Sequence, residues 1–343
     1  MSMNAIKEKL IWPVMQDLLV KYGFIAVTIG LFVWFAATEE TFRQPSTLFS
    51  MLKFTSVVAI VGLGVTFTMV VGGLDLSVGS VAGLAVTLAA MSMVIYNLTG
   101  LFSGLTVLLA GVVVGAINAF LIVWLKIPDL LATLGMMFII MGIKLWPVDG
   151  QSVSSKMILR DGSVAPGKFT EGFLAIDRMM IGPVPLPVVI WLVLTIAAWY
   201  LLTRTKYGRI MYAVGANPEA AKLAGIKVEW YRFAAYVISG LLASIGGLIL
   251  ASRIGQGDIS AGNSLLLDAV AVALVGTSVL GFGKPNAWGT ALGALLIGIV
   301  ITGLTIKGFP YYTQDVSKGV VLVLALIFSF TLSRKKARFV SAT

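Results

Sequence analysis

Long apolar runs alternate with short polar segments along most of the chain. The runs are roughly 18–22 residues long, which is the length an α-helix needs to cross about 30 Å of hydrocarbon. They lack the short apolar–polar alternation of barrel strands, so the pattern predicts an all-α transmembrane protein with about ten membrane-spanning helices. The predicted spans are 20–38, 54–73, 78–96, 104–124, 130–146, 186–203, 231–251, 264–281, 287–306 and 315–332.

Composition supports lipid as the solvent of this chain. Of its 343 residues, 58% are hydrophobic and 12% are charged, and the mean hydropathy is +0.98. Soluble domains carry about 25% charged residues, so a soluble fold of this length would expose much apolar surface. The apolar stretch Leu10–Leu19 is interrupted by Pro13, Gln16 and Asp17. It therefore predicts an interfacial helix that precedes the first span, and no signal peptide.

The basic residues predict the orientation in the membrane, because short cytoplasmic loops are enriched in lysine and arginine. Ten spans place both termini on one side, and the polar segment 147–185 then lies on the other, extracytoplasmic side. Arg43, Lys53, Arg253 and Lys307 occupy the short loops of that outer side. The side with the termini carries Lys7, Lys9, Lys126, Arg204, Lys206, Arg209, Lys222, Lys227, Lys284, Arg334, Lys335, Lys336 and Arg338. The net charge of +10 thus reflects orientation, and no nucleic-acid-binding module is apparent.

Several kinds of chemistry are excluded by what the sequence lacks. It contains no cysteine and no histidine, which removes disulfides, thiolate catalysis and histidine-ligated metals. No G-x-x-x-x-G-K-[ST] phosphate loop occurs, and the nearest cluster, Gly281–Pro285, has the wrong spacing. We expect no catalytic residue, no metal site and no cofactor in this chain.

Glycines recur at four-residue spacing within predicted spans. The pairs are Gly79 with Gly83, Gly111 with Gly115, and Gly289 with Gly293. Such spacing lets helix backbones approach closely in lipid, so we expect these glycines at helix contacts within one bundle.

A five-residue motif occurs twice and suggests an internal repeat. Asp75–Gly79 follows the second predicted span and Asp258–Gly262 follows the seventh, and both fit Asp-(Leu/Ile)-Ser-x-Gly. Five spans separate the copies, which predicts them on opposite faces of the membrane. Inverted repeats with broken helices are typical of transporter cores.

The first copy lies within the glycine-rich segment Gly72–Ser80, between two apolar runs. An acidic residue so close to hydrocarbon is usually functional, which favours a kinked hinge built from Gly73, Asp75, Ser77 and Gly79. The alternative is that Asp75 or Ser77 only caps the next helix at a tight cytoplasmic turn.

Other polar residues in predicted spans are candidates for a polar pathway. Asp268 could line such a path with Thr277 and Ser278, favour a helix N-terminus, or pair with Arg253. Asn118 and Thr133 are weaker candidates, because single polar groups often make hydrogen bonds between helices.

The cytoplasmic segment 216–226 has the sequence signals of a short helix. Asn217 suits the cap, Pro218 the first helical position and Glu219 the positive end of the helix, while Gly225 suits its stop. A helix of about two turns is unstable alone in water, so it needs either lipid headgroups or a partner protein to lie on.

Together these segments resemble one family, the permease subunits of bacterial ABC sugar importers of the ribose, galactose and autoinducer-2 class. The resemblance extends from about residue 54 to residue 332. The matching residues are Gly72–Ser80, Ile127–Pro128, Ala132–Gly135, Tyr207–Arg209, Gly215–Asn217, Ala224–Ile226, Leu267–Ala271 and Gly276–Ser278.

The resemblance implies a type II importer permease, similar to vitamin B12 importers, formed by one transmembrane domain over 1–343 with two inverted pseudo-repeats. It implies a multi-pass protein of the bacterial inner membrane that moves a sugar, polyol or autoinducer-2-like solute. Its partners would be a cytoplasmic ATPase that holds ATP and Mg²⁺, a periplasmic sugar-binding protein and a second permease subunit, identical or paralogous. Glu219, Ala220, Ala221 and Gly225 fit the family's Glu-Ala-Ala-x-x-x-Gly signature, so 216–226 would be the coupling helix on the ATPase.

Segment 147–185 looks longer and more charged than its counterpart in ribose permeases, so the resemblance leaves the substrate open. The residues alone also allow an ion-coupled secondary transporter or channel that uses Asp75 or Asp268, and a membrane-embedded enzyme or scaffold. Dependence on a partner ATPase separates these alternatives.

Overall fold

The computed structural model describes residues 22–279 and 283–324, and this part of the chain is almost entirely helical. The helices are α1 (Tyr22–Thr38), α2 (Pro45–Val70), α3 (Val78–Ala90, continued by a π-helical turn to Ile95), α4 (Gly100–Val123), α5 (Asp129–Leu145), α6 (Glu171–Arg178), α7 (Leu186–Arg204), α8 (Lys206–Ala216), α9 (Pro218–Leu223), α10 (Val228–Ile254), α11 (Leu265–Ser278), α12 (Ala287–Ile306) and α13 (residues 311–324). A short hairpin, β1 (Met180–Ile181) with β2 (Val184–Pro185), precedes α7.

Seven of the described helices are long and apolar enough to cross a membrane, namely α2, α3, α4, α5, α7, α10 and α12. Helices α1 and α11 are apolar but shorter. Nine predicted spans therefore coincide with a helix, and the tenth, 315–332, begins in α13 and continues outside the described residues. The all-helical class is confirmed, whereas the number of ten full spans stays a prediction. The predicted interfacial helix Leu10–Leu19 and the basic tail also lie outside the described residues.

Helix α2 differs most from its predicted bounds. It begins at Pro45 instead of residue 54, because a proline fits the first turn of a helix and needs no donor there. It ends at Val70 instead of residue 73, because Gly72 has a positive φ of 81° that a helix does not accommodate.

The described chain forms two units, and the first comprises Leu52–Val270. Within it, α4 and α10 pack through glycines: a Cβ on Gly240 would lie 2.2 Å from the Gly111 carbonyl oxygen, and one on Gly115 would lie 2.5 Å from the Tyr236 carbonyl oxygen. These backbones therefore touch directly, as the glycine spacing of α4 predicts.

We expect Gly240→Val to destabilise this unit by about 1–3 kcal/mol or more, because the added methyl groups overlap backbone that cannot rotate away. Thermal unfolding of the purified protein in detergent measures the change. Gly104→Val is the matched control, because Gly104 lies on α4 with nothing within 4 Å of a Cβ at that position. Equal melting temperatures for both variants would contradict the close packing of α4 on α10.

The second unit consists of the described parts of 1–51 and 271–343. A Cβ on Gly289 of α12 would lie 2.1 Å from the Gly276 carbonyl oxygen, so α11 and α12 also meet at glycines. The ring of Phe35 fills the space beside Gly303 and stacks on Phe42 at 5.5 Å. Close approach at Gly289 is thus confirmed.

The polar segment 147–185 forms α6, the hairpin and an antiparallel bridge from Val153 to Gly257. A cluster of charges fixes α6 on the first unit. Asp177 accepts from Lys53 Nζ at 3.0 Å and from Arg253 Nε at 3.1 Å. Near its start, a hydrogen bond from the Arg160 guanidinium lowers the pKa of the Asp149 carboxyl. The segment is therefore attached to the helices rather than a free loop.

Candidate translocation and coupling sites

The non-helical segment between α2 and α3, residues 71–77, is called the break here, and it contains a buried acidic residue. Asp75 is 1% exposed. Its Oδ1 accepts from the Ser77 backbone N–H at 2.9 Å and from the Ser77 hydroxyl at 2.7 Å. Its Oδ2 accepts from the Ser239 hydroxyl of α10 at 2.8 Å. The carboxyl therefore joins the break to α10.

Two further predicted residues converge on the same break. Asn118 of α4 donates from Nδ2 to Ser77 Oγ at 2.8 Å. Thr133 of α5 accepts from the Leu76 backbone N–H at 3.1 Å. The structure thus gathers Gly73, Asp75, Ser77, Asn118 and Thr133, with three helices holding one irregular segment.

The capping alternative fails for Ser77, which is the N-cap residue of α3 but makes no side-chain capping hydrogen bond there. Asp75 does accept from the backbone N–H of this N-cap residue, but its bond to Ser239 of α10 goes beyond the role of a cap. The depth also disagrees with a surface turn: Ser239 lies eleven residues into α10 (Val228–Ile254), about 16 Å along its axis at 1.5 Å per residue. Asp75 is therefore held halfway along a membrane-length helix.

Sequence reasoning missed the cluster around Gly73. A Cβ at this position would lie 2.4 Å from Tyr236 Oη and 2.5 Å from Asp129 Oδ2, so any larger residue would displace one of these side chains. Arg232 Nη2 donates to both carboxylate oxygens of Asp129, at 2.6 and 2.8 Å. The available signal was that Asp129 and Arg232 carry opposite charges at the ends of predicted spans.

The second motif copy folds locally like the first. Asp258 Oδ1 accepts from the Ser260 backbone N–H and from the Ser260 hydroxyl, both at 2.8 Å. The predicted placement of the two copies on opposite faces is wrong for their glycine ends, because a Cβ on Gly262 would lie 2.4 Å from the Gly79 carbonyl oxygen. Both copies end at the same internal contact, where α3 and α11 begin.

A buried lysine that the sequence analysis did not single out lies near this contact. Lys144, close to the end of α5, places Nζ 3.5 Å from the Ala261 carbonyl oxygen. The same Nζ would lie 3.1 Å from a Cβ on Gly83. Lys144 thus brings a cation to the second motif copy from α5.

Asp268, Thr277 and Ser278 all lie on α11, and a polar path through them stays a prediction. Asp268 is buried in the first turn of α11, whereas the Thr277 hydroxyl donates to the Leu274 carbonyl of its own helix at 2.7 Å. Ser278 ends α11. Arg253, one predicted partner of Asp268, instead binds Asp177.

The predicted cytoplasmic helix is α9, shorter than 216–226. Asn217 Oδ1 accepts from the Ala220 backbone N–H at 2.9 Å, and Pro218 occupies the first turn. Gly225 has a φ of 80° and ends the helix, with the Ile226 N–H bonded to the Ala221 carbonyl at 3.0 Å. These are the cap and stop that the sequence predicts.

Helix α9 has one buried and one exposed face. Ala221 is buried, whereas Glu219 is exposed and Leu223, one turn further on, is 90% exposed. The exposed face of α9 therefore carries an apolar and an acidic side chain one turn apart.

Helix α8 links α9 to the break. A Cβ on Gly215, just before α9, would lie 2.1 Å from the Val70 carbonyl oxygen at the end of α2. Gly215 also contacts Gly72, where the break begins. The end of α8, next to α9, therefore lies in direct backbone contact with the segment that leads to Asp75.

Comparisons with known proteins find relatives among transport permeases. A family model described as "Branched-chain amino acid transport system / permease component" matches residues 47–326. The ribose import permease of Escherichia coli (strain K12) is 34% identical over 294 residues, which cover 84% of this chain and 87% of the relative. The ribose import permease of Bacillus subtilis (strain 168) is 31% identical over 321 residues, with 90% and 92% covered.

A xylose transport system permease of Escherichia coli (strain K12) is 28% identical over 363 residues, with 92% of each chain covered. No solved structure matches the chain. The resemblance predicted from the sequence motifs is confirmed by these relatives.

Proposed function

The chain belongs to the family of branched-chain amino acid transport system permease components, and we propose that it is the membrane-spanning permease subunit of an ATP-driven sugar importer. Relatives named as ribose and xylose permeases support a sugar or sugar-like solute. The chain is a multi-pass membrane protein with seven described helices of sufficient length and apolarity. It supplies the pathway, and a separate ATPase hydrolyses ATP with Mg²⁺.

The observation that carries this proposal is the exposed face of α9 and its connection to the buried break. Leu223 offers an apolar contact to a partner, and Gly215 joins the adjacent helix to the end of α2. A passive channel does not need to be coupled to a partner through an exposed helix whose neighbour contacts an internal hinge. In our proposal an ATPase seats α9 in a groove, and its closure moves the break.

The proposed cycle is alternating access. A loaded periplasmic binding protein docks on the side of 147–185, ATP closes the partner subunits, and α9 transmits that motion through α8 to the segment around Asp75. The shared local fold of the two motif copies supports an internal repeat. We propose that its two halves are inverted and that the copies approach from opposite sides and meet at Gly79 and Gly262. We further propose a type II architecture, a paired second permease subunit, a bacterial inner-membrane location and cytoplasmic termini.

Reconstitution tests the proposal. Proteoliposomes would contain the full chain with or without its ATPase, ATP inside, and its binding protein outside with labelled ribose, xylose or a hexose. We expect uptake of at least one solute only when all three proteins and hydrolysable ATP are present. Uptake driven by an ion gradient in the absence of the ATPase would contradict the proposal and favour a secondary transporter.

A further inference from the structure

A cavity of about 750 Å³ opens beside α9 and is not used by the proposed transport cycle. Its wall is formed by the end of α7, by α8, by the link that follows α9 and by the first half of α10. Except for one lysine, the lining is apolar or aromatic. The residues that matter here are Leu201, Tyr207, Lys227, Trp230, Ala234 and Ile238.

The cavity is elongated along α10. Lys227, Tyr231, Ala234 and Ile238 follow one another at spacings of four, three and four residues, so they form one stripe on that helix. From Lys227 to Ile238 the stripe is eleven residues long, or about 16 Å. That length is about half of a 30 Å hydrocarbon core. The cavity is therefore about as long as one lipid leaflet is deep.

Along the cavity the lining residues change from cationic to aromatic to apolar, the same order as the phosphate, glycerol region and acyl chain of a phospholipid. The single cation, Lys227, and two exposed aromatic residues, Tyr207 and Trp230, lie at the end beside α9. Lys206 adds a second cation, with its Nζ 5.3 Å from the Tyr207 ring centre. Aromatic residues and lysines of this kind lie at the headgroup level. The other end, at Ala234 and Ile238, is apolar.

We propose that this cavity binds one anionic phospholipid of the inner leaflet. Lys227 contacts the phosphate, Tyr207 and Trp230 flank the glycerol region, and an acyl chain fills the groove along Ala234 and Ile238. Because Gly225 and Ile226 also line the cavity, the bound lipid fastens the end of the coupling segment to the membrane. The choice of the inner leaflet rests on the proposed cytoplasmic position of α9, whereas lipid binding itself needs neither the ATPase nor the transported solute.

Quenching of tryptophan fluorescence by brominated lipids tests it on the full chain in nanodiscs. Dibrominated phosphatidylglycerol and dibrominated phosphatidylcholine are compared at equal mole fraction. We expect phosphatidylglycerol to quench with about fivefold higher apparent affinity, the factor that corresponds to about 1 kcal/mol for one lysine near anionic lipid. Trp230→Phe should remove this selective component, because Trp230 is the tryptophan of the cavity wall.

Matched variants separate the lysine from general surface charge. Lys227→Gln should abolish the preference, whereas Lys222→Gln should keep it, because Lys222 lies outside the cavity wall and faces Glu229 at 4.0 Å. Ala234→Phe should fill the groove and reduce quenching by both lipids, while Ala197→Phe, on the exposed surface of α7, should not. An unchanged preference in Lys227→Gln, or none in the wild type, would overturn the proposal.

Two other occupants give different outcomes. The chain lacks cysteine, so Leu201→Cys provides a single cross-linking site in native membranes. Efficient cross-linking between two copies would assign the cavity to a subunit interface and overturn the lipid proposal. Loss of selective quenching on addition of the ATPase alone would assign it to that partner and overturn it as well. Persistence of the quenching with the ATPase bound supports the lipid.

Discussion

Leu223→Asp is expected to weaken binding of the partner ATPase by about 100-fold. Burial of a leucine at a contact contributes about 1.5–3 kcal/mol, and a carboxylate placed against the same apolar surface adds a desolvation cost. A change of about 2.7 kcal/mol corresponds to that factor. Leu223 is 90% exposed, so the substitution costs the isolated permease little. The dissociation constant, measured with purified ATPase and the permease in nanodiscs, checks the result.

Two controls make this result specific. Leu223→Met keeps an apolar side chain of similar volume and should bind within a few-fold of the wild type. Ile158→Asp introduces the same charge at another exposed apolar residue, in the segment 147–185, and should leave ATPase binding unchanged. Equal binding by Leu223→Asp and the wild type would show that α9 does not seat the ATPase. Equal loss in both Asp variants would indicate a general effect of surface charge.

The sequence predicted the helices well because lipid imposes a length on them. Every described predicted span coincides with a helix, since an apolar run of that length has few alternatives in a bilayer. Errors occur where polar residues belong to a helix. The first turns of α2 contain serine, threonine and Lys53 and were predicted as loop. Lys53 is accommodated because it binds Asp177, 124 residues away, and no local pattern contains that contact.

The candidate hinge was predicted in part for the same reason. Asp75 and Gly73 attract attention because an acid and paired glycines interrupt apolar sequence. Their partners do not: Ser239 and Tyr236 look like ordinary members of a long helix. Asp268 attracted equal attention from the same rule, and the structure places it in the first turn of α11. A polar residue in a predicted span indicates that its side chain makes a hydrogen bond or ion pair, but the sequence does not show which residue is the partner.

The two motif copies show how a repeat can be recognised while its geometry is misjudged. Counting spans treats each connection as a loop at a membrane surface. The break after α2 instead lies at half the length of α10, and the copies meet through Gly79 and Gly262. Segments that enter the bilayer without crossing it are invisible to such counting. The sequence feature that indicates them is an acidic residue flanked by two or more glycines, as in Gly72–Gly79 of this chain.

Asp75→Asn is expected to reduce ATP-driven uptake at least tenfold while expression and ATPase binding remain near wild type. The asparagine amide has nearly the size of the carboxyl group, but only its oxygen can accept a hydrogen bond, whereas both carboxylate oxygens can. Its oxygen would stay with Ser77, whose backbone N–H cannot reverse, and its NH₂ would face Ser239. Hydrogen bonds to a carboxylate are worth about 1.5–3 kcal/mol against about 1 kcal/mol for neutral pairs. If the substitution changes the free-energy difference between the inward-open and outward-open forms of the proposed cycle by about 1.4 kcal/mol, the ratio of the two forms changes tenfold.

Asp258→Asn is the matched control, because Asp258 makes the same two local hydrogen bonds but is only partly buried. It should change uptake less than threefold, since water replaces what the amide loses. Ser239→Ala separates the link to α10 from the carboxyl itself: it removes the third hydrogen bond and should give an intermediate rate. Wild-type uptake in Asp75→Asn would reduce Asp75 to a local structural role. Equal losses in the Asp75 and Asp258 variants would place the sensitivity in the turn geometry that both share, and the buried depth of Asp75 would then carry no functional weight.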